Sequence, residues 1–326
     1  MCLAVEVTGA QVVVGYDLAN GTYDSVSFSV SSQDTEPWDI AFNADGTKML
    51  MVGAGSDSVH QYTLSTAYDL STASYDSVSF SVSGQDSNPS GIRFNNDGTK
   101  MFVVGRTSDK VHQYSLTTAY DISTASYDSQ SLSVSSQDGN MSGIAFNDDG
   151  TKLIAVGYSG DAAYQYSLTT AFDISTASYD SVSFSVSGQD TTPKGLYFNN
   201  DGTKMFLAGS GTDEVYQYSL TTAFDISTAS YDSVKLDVGP QAGDCSGVSF
   251  SADGTKMYVI NAGSDAIQQY STSTTTAITI TWDADIEWGG GTAPDSPAAG
   301  EKDLYTITTD DGGTTYFGVQ SGDAFS

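Results

Sequence analysis

Gly91-Ile92-Arg93-Phe94-Asn95-Asn96-Asp97-Gly98-Thr99-Lys100-Met101-Phe102-Val103-Val104-Gly105 reads as two short strands joined by a tight turn. Ile92 and Phe94 stand two apart, Asp97-Gly98 is strong hairpin chemistry, and Met101–Gly105 returns as an apolar run suited to burial on both faces. The unit recurs: Asp-Gly-Thr-Lys stands at Asp45–Lys48, Asp97–Lys100, Asp149–Lys152, Asp201–Lys204 and Asp253–Lys256, a step of 52 residues each time with no insertion or deletion. Gln61-Tyr62, Gln113-Tyr114, Gln165-Tyr166, Gln217-Tyr218 and Gln269-Tyr270 keep the same step. A fixed period of this size marks a repeat architecture. Residues shared by all copies build the scaffold, and those that differ are free for function.

Each repeat continues with a third strand, Val111–Leu116 in this copy, after a Ser108-Asp109 turn. A fourth follows; in Tyr75–Val82, Val78, Phe80 and Val82 alternate with Ser77, Ser79 and Ser81, the pattern of a strand half exposed to water. Nothing in the repeat reads as a helix. Four antiparallel strands running from a buried first to a half-polar last make one blade of a β-propeller. First, second and third strands occur five times, the last set at Gly247–Ser251, Lys256–Ile260 and Ala266–Tyr270, with no fourth strand after it. Tyr23–Val30 precedes the first complete repeat and matches Tyr75–Val82 nearly residue for residue. The expected fold is therefore all-β: a five-bladed propeller over residues 1–272, closed by its N-terminal strand, then a small β module over 273–326. A β-solenoid of the same repeat would leave that N-terminal strand without a place and would need caps at both ends.

Over roughly residues 16–272 the aromatic residue, Asp-Gly turn and apolar strand resemble the bacterial and archaeal YVTN-type propellers, a likeness informative about fold and silent about activity. The C-terminal segment resembles a small all-β module at the ends of tailed-bacteriophage tail and fibre proteins. The matching residues are Thr281-Trp282, Glu287-Trp288, Gly290-Gly291-Thr292-Ala293-Pro294, Asp303–Ile307, Thr309–Tyr316 and Ala324-Phe325. That resemblance implies a virion appendage or receptor-binding protein. Its partners would be a host cell-surface glycan or receptor and other virion proteins, its assembly a homotrimer, and its location the virion or the extracellular medium. A bacterial extracellular lectin-like propeller is the second reading that the fold allows. Met1–Glu6 has no basic region and no sustained apolar stretch, so it does not read as a signal peptide; virion proteins assembled in the cytoplasm and released by lysis need none.

Forty acidic against eleven basic residues, net −29, weigh against nucleic acid or an anionic membrane surface as partner. No apolar run is long enough for a membrane-spanning helix, so membrane insertion is not expected. Two cysteines, Cys2 and Cys245, make no disulfide framework.

Enzymatic chemistry is hard to find. A sialidase-like site needs an arginine cluster, and the chain has only Arg93 and Arg106. Five-bladed glycosidases need a glutamic acid paired with aspartates across the channel, yet residues 16–272 hold only Glu36 and Glu214, in a connection and at the start of a third strand. His60 and His112 share a repeat position with Tyr164, Tyr216 and Gln268, which suits packing better than catalysis or metal binding. The expectation is a protein without catalytic residues, cofactor or resident metal. The aspartates Asp57, Asp109, Asp161, Asp213 and Asp265 recur at turns, where Asx side chains bond their own backbone. Calcium at Asp283, Asp285 and Glu287, or at Asp310-Asp311, would match no loop signature.

What differs between copies gathers at one end of the blades. The loops leading into the first strands read Glu36-Pro37-Trp38, Asn88-Pro89-Ser90, Asn140-Met141-Ser142, Thr192-Pro193-Lys194 and Asp244-Cys245-Ser246. After the second strands stand Ala54, Arg106, Tyr158, Ser210 and Ala262; mid first strand stand Ala41, Arg93, Ala145, Tyr197 and Ser249. Five of the eleven basic residues are turn lysines, and four of the other six, Arg93, Arg106, Lys110 and Lys194, fall on or near this end. Trp38, Arg93, Arg106, Tyr158, Lys194 and Tyr197 therefore form the candidate binding face, mixing aromatic rings with cationic donors as sites for sugars or anionic glycans do.

Overall fold

The computed structural model describes residues 2–8, 11–241, 243–277, 286–288, 292, 302–308 and 316–325. They fall into two compact units, Gly15–Ser273 and a second made of Met1–Val14 with Thr274–Ser326.

The larger unit is the five-bladed propeller. Blade 1 is Pro37–Phe42, Lys48–Gly53, Ser58–Leu64 and Ala73–Ser81, each strand hydrogen-bonded to the next. Blades 2, 3 and 4 repeat this order from Pro89–Phe94, Met141–Phe146 and Pro193–Phe198. Blade 5 is Cys245–Phe250, Lys256–Asn261 and Ala266–Ser271, completed by Thr22–Ser29 in the register Ala266↔Ser29 to Ser271↔Thr22. The five first strands pack against one another in a closed ring, blade 5 against blade 1. No solenoid does that.

The repeated residues hold this ring in identifiable ways. In the Asp-Gly-Thr-Lys turn, the Asp97 carboxylate accepts the Thr99 amide at 2.9 Å and the Thr99 hydroxyl at 2.5 Å, while Asn95 Oδ1 accepts the Lys100 amide at 2.8 Å. The turn lysine then reaches the next blade: Lys100 Nζ donates to the Phe172 carbonyl at 2.8 Å and Lys204 Nζ to that of Tyr16 at 2.9 Å. The third-strand glutamine does likewise. Gln61 Oε1 accepts the Ile122 amide at 3.1 Å, and across the closing seam Gln269 Oε1 accepts the Leu70 amide at 2.9 Å. The seam that closes the ring is thus bonded like an internal one.

Between third and fourth strands lies a feature that strand periodicity did not announce, a single 3₁₀ turn such as Leu70–Thr72. It is capped where Asp69 accepts the Ser71 amide. The fourth strands keep the expected alternation, with burial switching residue by residue along Ala73–Ser81. A bulge in each shifts the register, between Gln61 and Tyr62 in blade 1. The fourth strand is the free edge of its blade, and a bulge there discourages pairing with another edge. The turn aspartates Asp57, Asp109, Asp161, Asp213 and Asp265 all have left-handed backbone, φ 48–56°, a conformation that Asp tolerates better than most residues.

In the smaller unit, Cys2–Thr8 pairs antiparallel with Lys302–Thr308, which pairs antiparallel with Tyr316–Phe325; Ile286–Trp288 runs parallel to the last. Gln11–Val14 pairs with Thr274–Ala277. The first fourteen residues thus group with the C-terminal segment, whereas the sequence boundary at 272 had placed them with the propeller. The reason is local: Leu3, Val5 and Val7 alternate as a strand and find their ladder on Lys302–Thr308. Most of the tail-module residues, Thr281-Trp282, Gly290-Gly291, Ala293-Pro294 and Thr309–Thr315, lie outside the described residues, as do Asp283, Asp285 and Asp310-Asp311.

Candidate functional site

The six candidate residues do not form one face. They separate into two groups, at opposite ends of the first strands.

Arg93 and Tyr197 lie toward the Asp-Gly turns. They line a cavity of about 330 Å³ together with Asn43, Tyr68, Asn95 and Asn96, a size at the lower edge for small-molecule sites. An adjoining lobe of about 150 Å³ shares Arg93 and Tyr197 and adds Asn147, Asp148 and Asn199. Arg93 is braced from three blades. Its Nη1 donates to Asp39 Oδ2 at 2.7 Å and to its neighbour's carbonyl, Ile92, at 2.6 Å; Nη2 donates to the Leu196 carbonyl at 2.6 Å. Nε and one hydrogen of Nη2 are left without an acceptor among the described residues, so the guanidinium is fixed and still able to donate.

Asp39 was not among the sequence candidates, and its signal was legible. Gly91, Gly143, Gly195 and Gly247 fill its place in the other four copies. Its carboxylate is 1% exposed and accepts the Ile92 amide at 3.0 Å and the Ile40 amide at 2.9 Å besides Arg93. Burial holds its pKa above the usual carboxylate range in spite of the guanidinium and the two amides. Asp148 was missed as well; its sister positions are Ala44, Asn96, Asn200 and Ala252. It is exposed at the rim, its main-chain carbonyl accepts Asn96 Nδ2 at 2.6 Å, and partial burial with Asp149 and Asp201 nearby raises its pKa. Tyr197 is pushed up too, chiefly by burial, and stays a neutral phenol.

Trp38, Arg106, Tyr158 and Lys194 converge at the other end, one from each of blades 1 to 4. The Arg106 guanidinium carbon is 3.8 Å and the Lys194 ammonium 3.9 Å from the centroid of the Trp38 ring. Both cations therefore pack against the same indole. Arg106 Nη1 also reaches the Tyr158 hydroxyl at 3.4 Å, while Nε and Nη2 donate to Asn88 Oδ1 at 3.1 and 2.5 Å. Lys194 is 7% exposed and lies 3.7 Å from Asp244 Oδ1. Burial, with Arg106 adding to it, pulls its pKa down to about 8 against the attraction of Asp244.

His60 and His112 serve packing: each ring bonds a turn serine, Ser56 at 2.9 Å and Ser108 at 3.0 Å, and tilts against Tyr75 or Tyr127.

The family described as Lactonase, 7-bladed beta-propeller, matches residues 66–286, more than half of the sequence. The chain belongs to that family, with five blades in place of the seven that its description names. Among solved structures, it is similar to a provisionally assigned 6-phosphogluconolactonase from Bacteroides uniformis: 11% identity over 73% of this chain and 68% of that one, TM-score 0.47. It is similar to a functionally unknown protein from Desulfotomaculum acetoxidans at 12% identity, 96% and 93% coverage and TM-score 0.45. A third, virginiamycin B lyase from Staphylococcus aureus, has 12% identity, 77% and 99% coverage and TM-score 0.43. No curated protein matches.

The family match overturns two expectations. The chain is aligned with an enzyme family rather than with phage tail fibres, and the match runs to residue 286, into the segment read as a tail module. The reading as a non-enzymatic virion adhesin or lectin is corrected accordingly. The chain does lack a glycosidase acid pair and a sialidase arginine cluster. Opening a strained cyclic ester needs less than either: one base to take a proton from water and one donor for the carbonyl oxygen.

Proposed function

We propose that this propeller hydrolyses a cyclic ester in the cavity at the Asp-Gly-turn end. The observation that carries the reading is a fixed guanidinium, Arg93, with unspent donors, in the same cavity as a carboxylate, Asp148, whose side chain accepts no hydrogen bond among the described residues. The lactone carbonyl oxygen would accept from Arg93, with the Tyr197 phenol as a second donor. Asp148 would take a proton from a water molecule as its oxygen attacks the carbonyl carbon. The ring C–O bond then breaks, the departing oxygen takes up a proton, and the product is the open hydroxy acid. Aromatic residues Tyr68, Phe94 and Tyr120 in the cavity wall would give the apolar face of a sugar-like ring a surface to lie on.

The test is a pH-stat assay over a panel of aldonolactones, with spontaneous opening subtracted. Asp148→Asn should lower kcat/KM roughly 100-fold, the usual contribution of a general base. The amide fits the site, since Asn96 and Asn200 occupy its sister positions. Hydrolysis no faster than the spontaneous rate for every lactone would defeat the reading, and full activity in Asp148→Asn would remove Asp148 from it.

A further inference from the structure

The Trp38 cluster sits at the other end of the ring and plays no part in that chemistry. Three observations set it apart. In blades 2, 3 and 5 the repeat position of Trp38 and Lys194 is a serine that ties its blade to the next: Ser90 Oγ donates to the Met141 carbonyl at 3.0 Å, Ser142 to Pro193 at 2.9 Å and Ser246 to Pro37 at 3.2 Å. Trp38 and Lys194 give up two of these seam bonds. Arg106 stands among neutral partners, Asn88 and Tyr158, in a chain where acidic residues outnumber basic ones 40 to 11. Finally, donors remain unspent. Trp38 Nε1 is buried with no acceptor, and Lys194 Nζ has none among the described residues, Asp244 being a looser neighbour at 3.7 Å.

A cluster assembled from four blades, at the expense of two seam bonds, and holding one cation with neutral partners and a second paired with a single carboxylate at 3.7 Å, has the composition of an anion site. We propose that the Trp38–Arg106–Lys194 cluster binds a small oxyanion, the phosphate or carboxylate group of a metabolite, with Arg106 and Lys194 supplying charge-assisted hydrogen bonds. Arginine offers a planar fork for such a group and lysine a point charge. The indole that both cations contact shields part of each from water, which strengthens the contacts that remain. Arg106, Tyr158 and Asp244 are all partly exposed, so the cluster opens to solvent on that side. This site is independent of the hydrolase reading.

Fluorescence isolates it. In a Trp282→Phe/Trp288→Phe background, Trp38 is the only tryptophan. Titration with inorganic phosphate, pyrophosphate and citrate at constant ionic strength should change its emission saturably, whereas chloride should not. The phosphate and citrate arms decide between the two oxyanion classes. Lys194→Met and Arg106→Gln should each weaken binding at least tenfold, and Asp148→Asn should leave it unchanged. Should Lys194→Met fail to fold, the half-exposed Arg106→Gln still decides the matter. Unsaturable, chloride-like responses to all three anions, or undiminished binding in Arg106→Gln, would overturn the proposal.

Discussion

At the scale of single residues, the glycine of the repeated turn shows what the 52-residue period selects. Gly98 has φ +71°, and a Cβ placed on it would meet the Tyr120 ring at 2.1 Å. Gly254 meets Tyr16 in the same way, at 2.2 Å. The aromatic residue, itself in left-handed backbone, lies over the turn, so glycine is required twice, by backbone and by space. Gly84 has open space where its Cβ would stand and no positive φ. Gly98→Ala should therefore destabilise the protein by about 1–3 kcal/mol, and Gly84→Ala by little or nothing, as read from paired thermal melts. Equal effects from the two would show that the ring over the turn contributes nothing. This pairing of glycine and aromatic is why the tetrapeptide and the period were so readable. Scaffold chemistry repeats, and repetition is visible in a single sequence.

At the scale of strands, function is legible only as departure from the repeat, and departures come in spatial pairs that linear comparison separates. Asp39 and Arg93 lie in first strands of neighbouring blades, 54 positions apart. Arg93 stands out in the sequence because basic residues are few; Asp39 is one acid among many, and its only mark is that it breaks a column of glycines. A count of variable positions does not distinguish a strand's two ends, so the sequence presents the two groups as one surface. Arg93 and Tyr197 point chemistry toward one end and Trp38 and Lys194 toward the other, three residues away along their strands. The buried pair makes a sharp prediction. Arg93→Ala alone strands a buried carboxylate, costing about 3–5 kcal/mol, and Asp39→Gly alone leaves a partly exposed guanidinium without its carboxylate, costing about 1–3 kcal/mol. The double variant writes into blades 1 and 2 what blade 3 already has, Gly143 and Ala145, and should lie within about 1 kcal/mol of the parent. Denaturant titration of the four proteins measures this. A double variant as unstable as the sum of the singles would mean that the two side chains act separately.

At the scale of the molecule, the sequence count of strands anticipated closure because a propeller cannot leave its last blade short of an edge. The same count could not place residues 1–14, whose partners lie at the other end of the chain, since nothing in a strand's own residues names a distant mate. Closure also says where stability resides. Thr22–Ser29 supplies the outer strand of blade 5, Tyr16 covers the Gly254 turn, and Leu18 and Val30 are buried, in the cores beside blades 5 and 1 respectively. Without them blade 5 keeps three strands, and its third exposes Gln268, Gln269 and Tyr270, now 5% exposed or less. A chain of residues 15–273, which holds the whole compact unit, should unfold in one cooperative transition. A chain of residues 31–273 should melt on the order of 10 °C or more lower, since several kcal/mol of burial are removed from a domain of this size. Circular dichroism melts of the two fragments decide it. Equal midpoints would mean that the ring of first strands holds by itself and that the borrowed strand merely decorates the fifth blade.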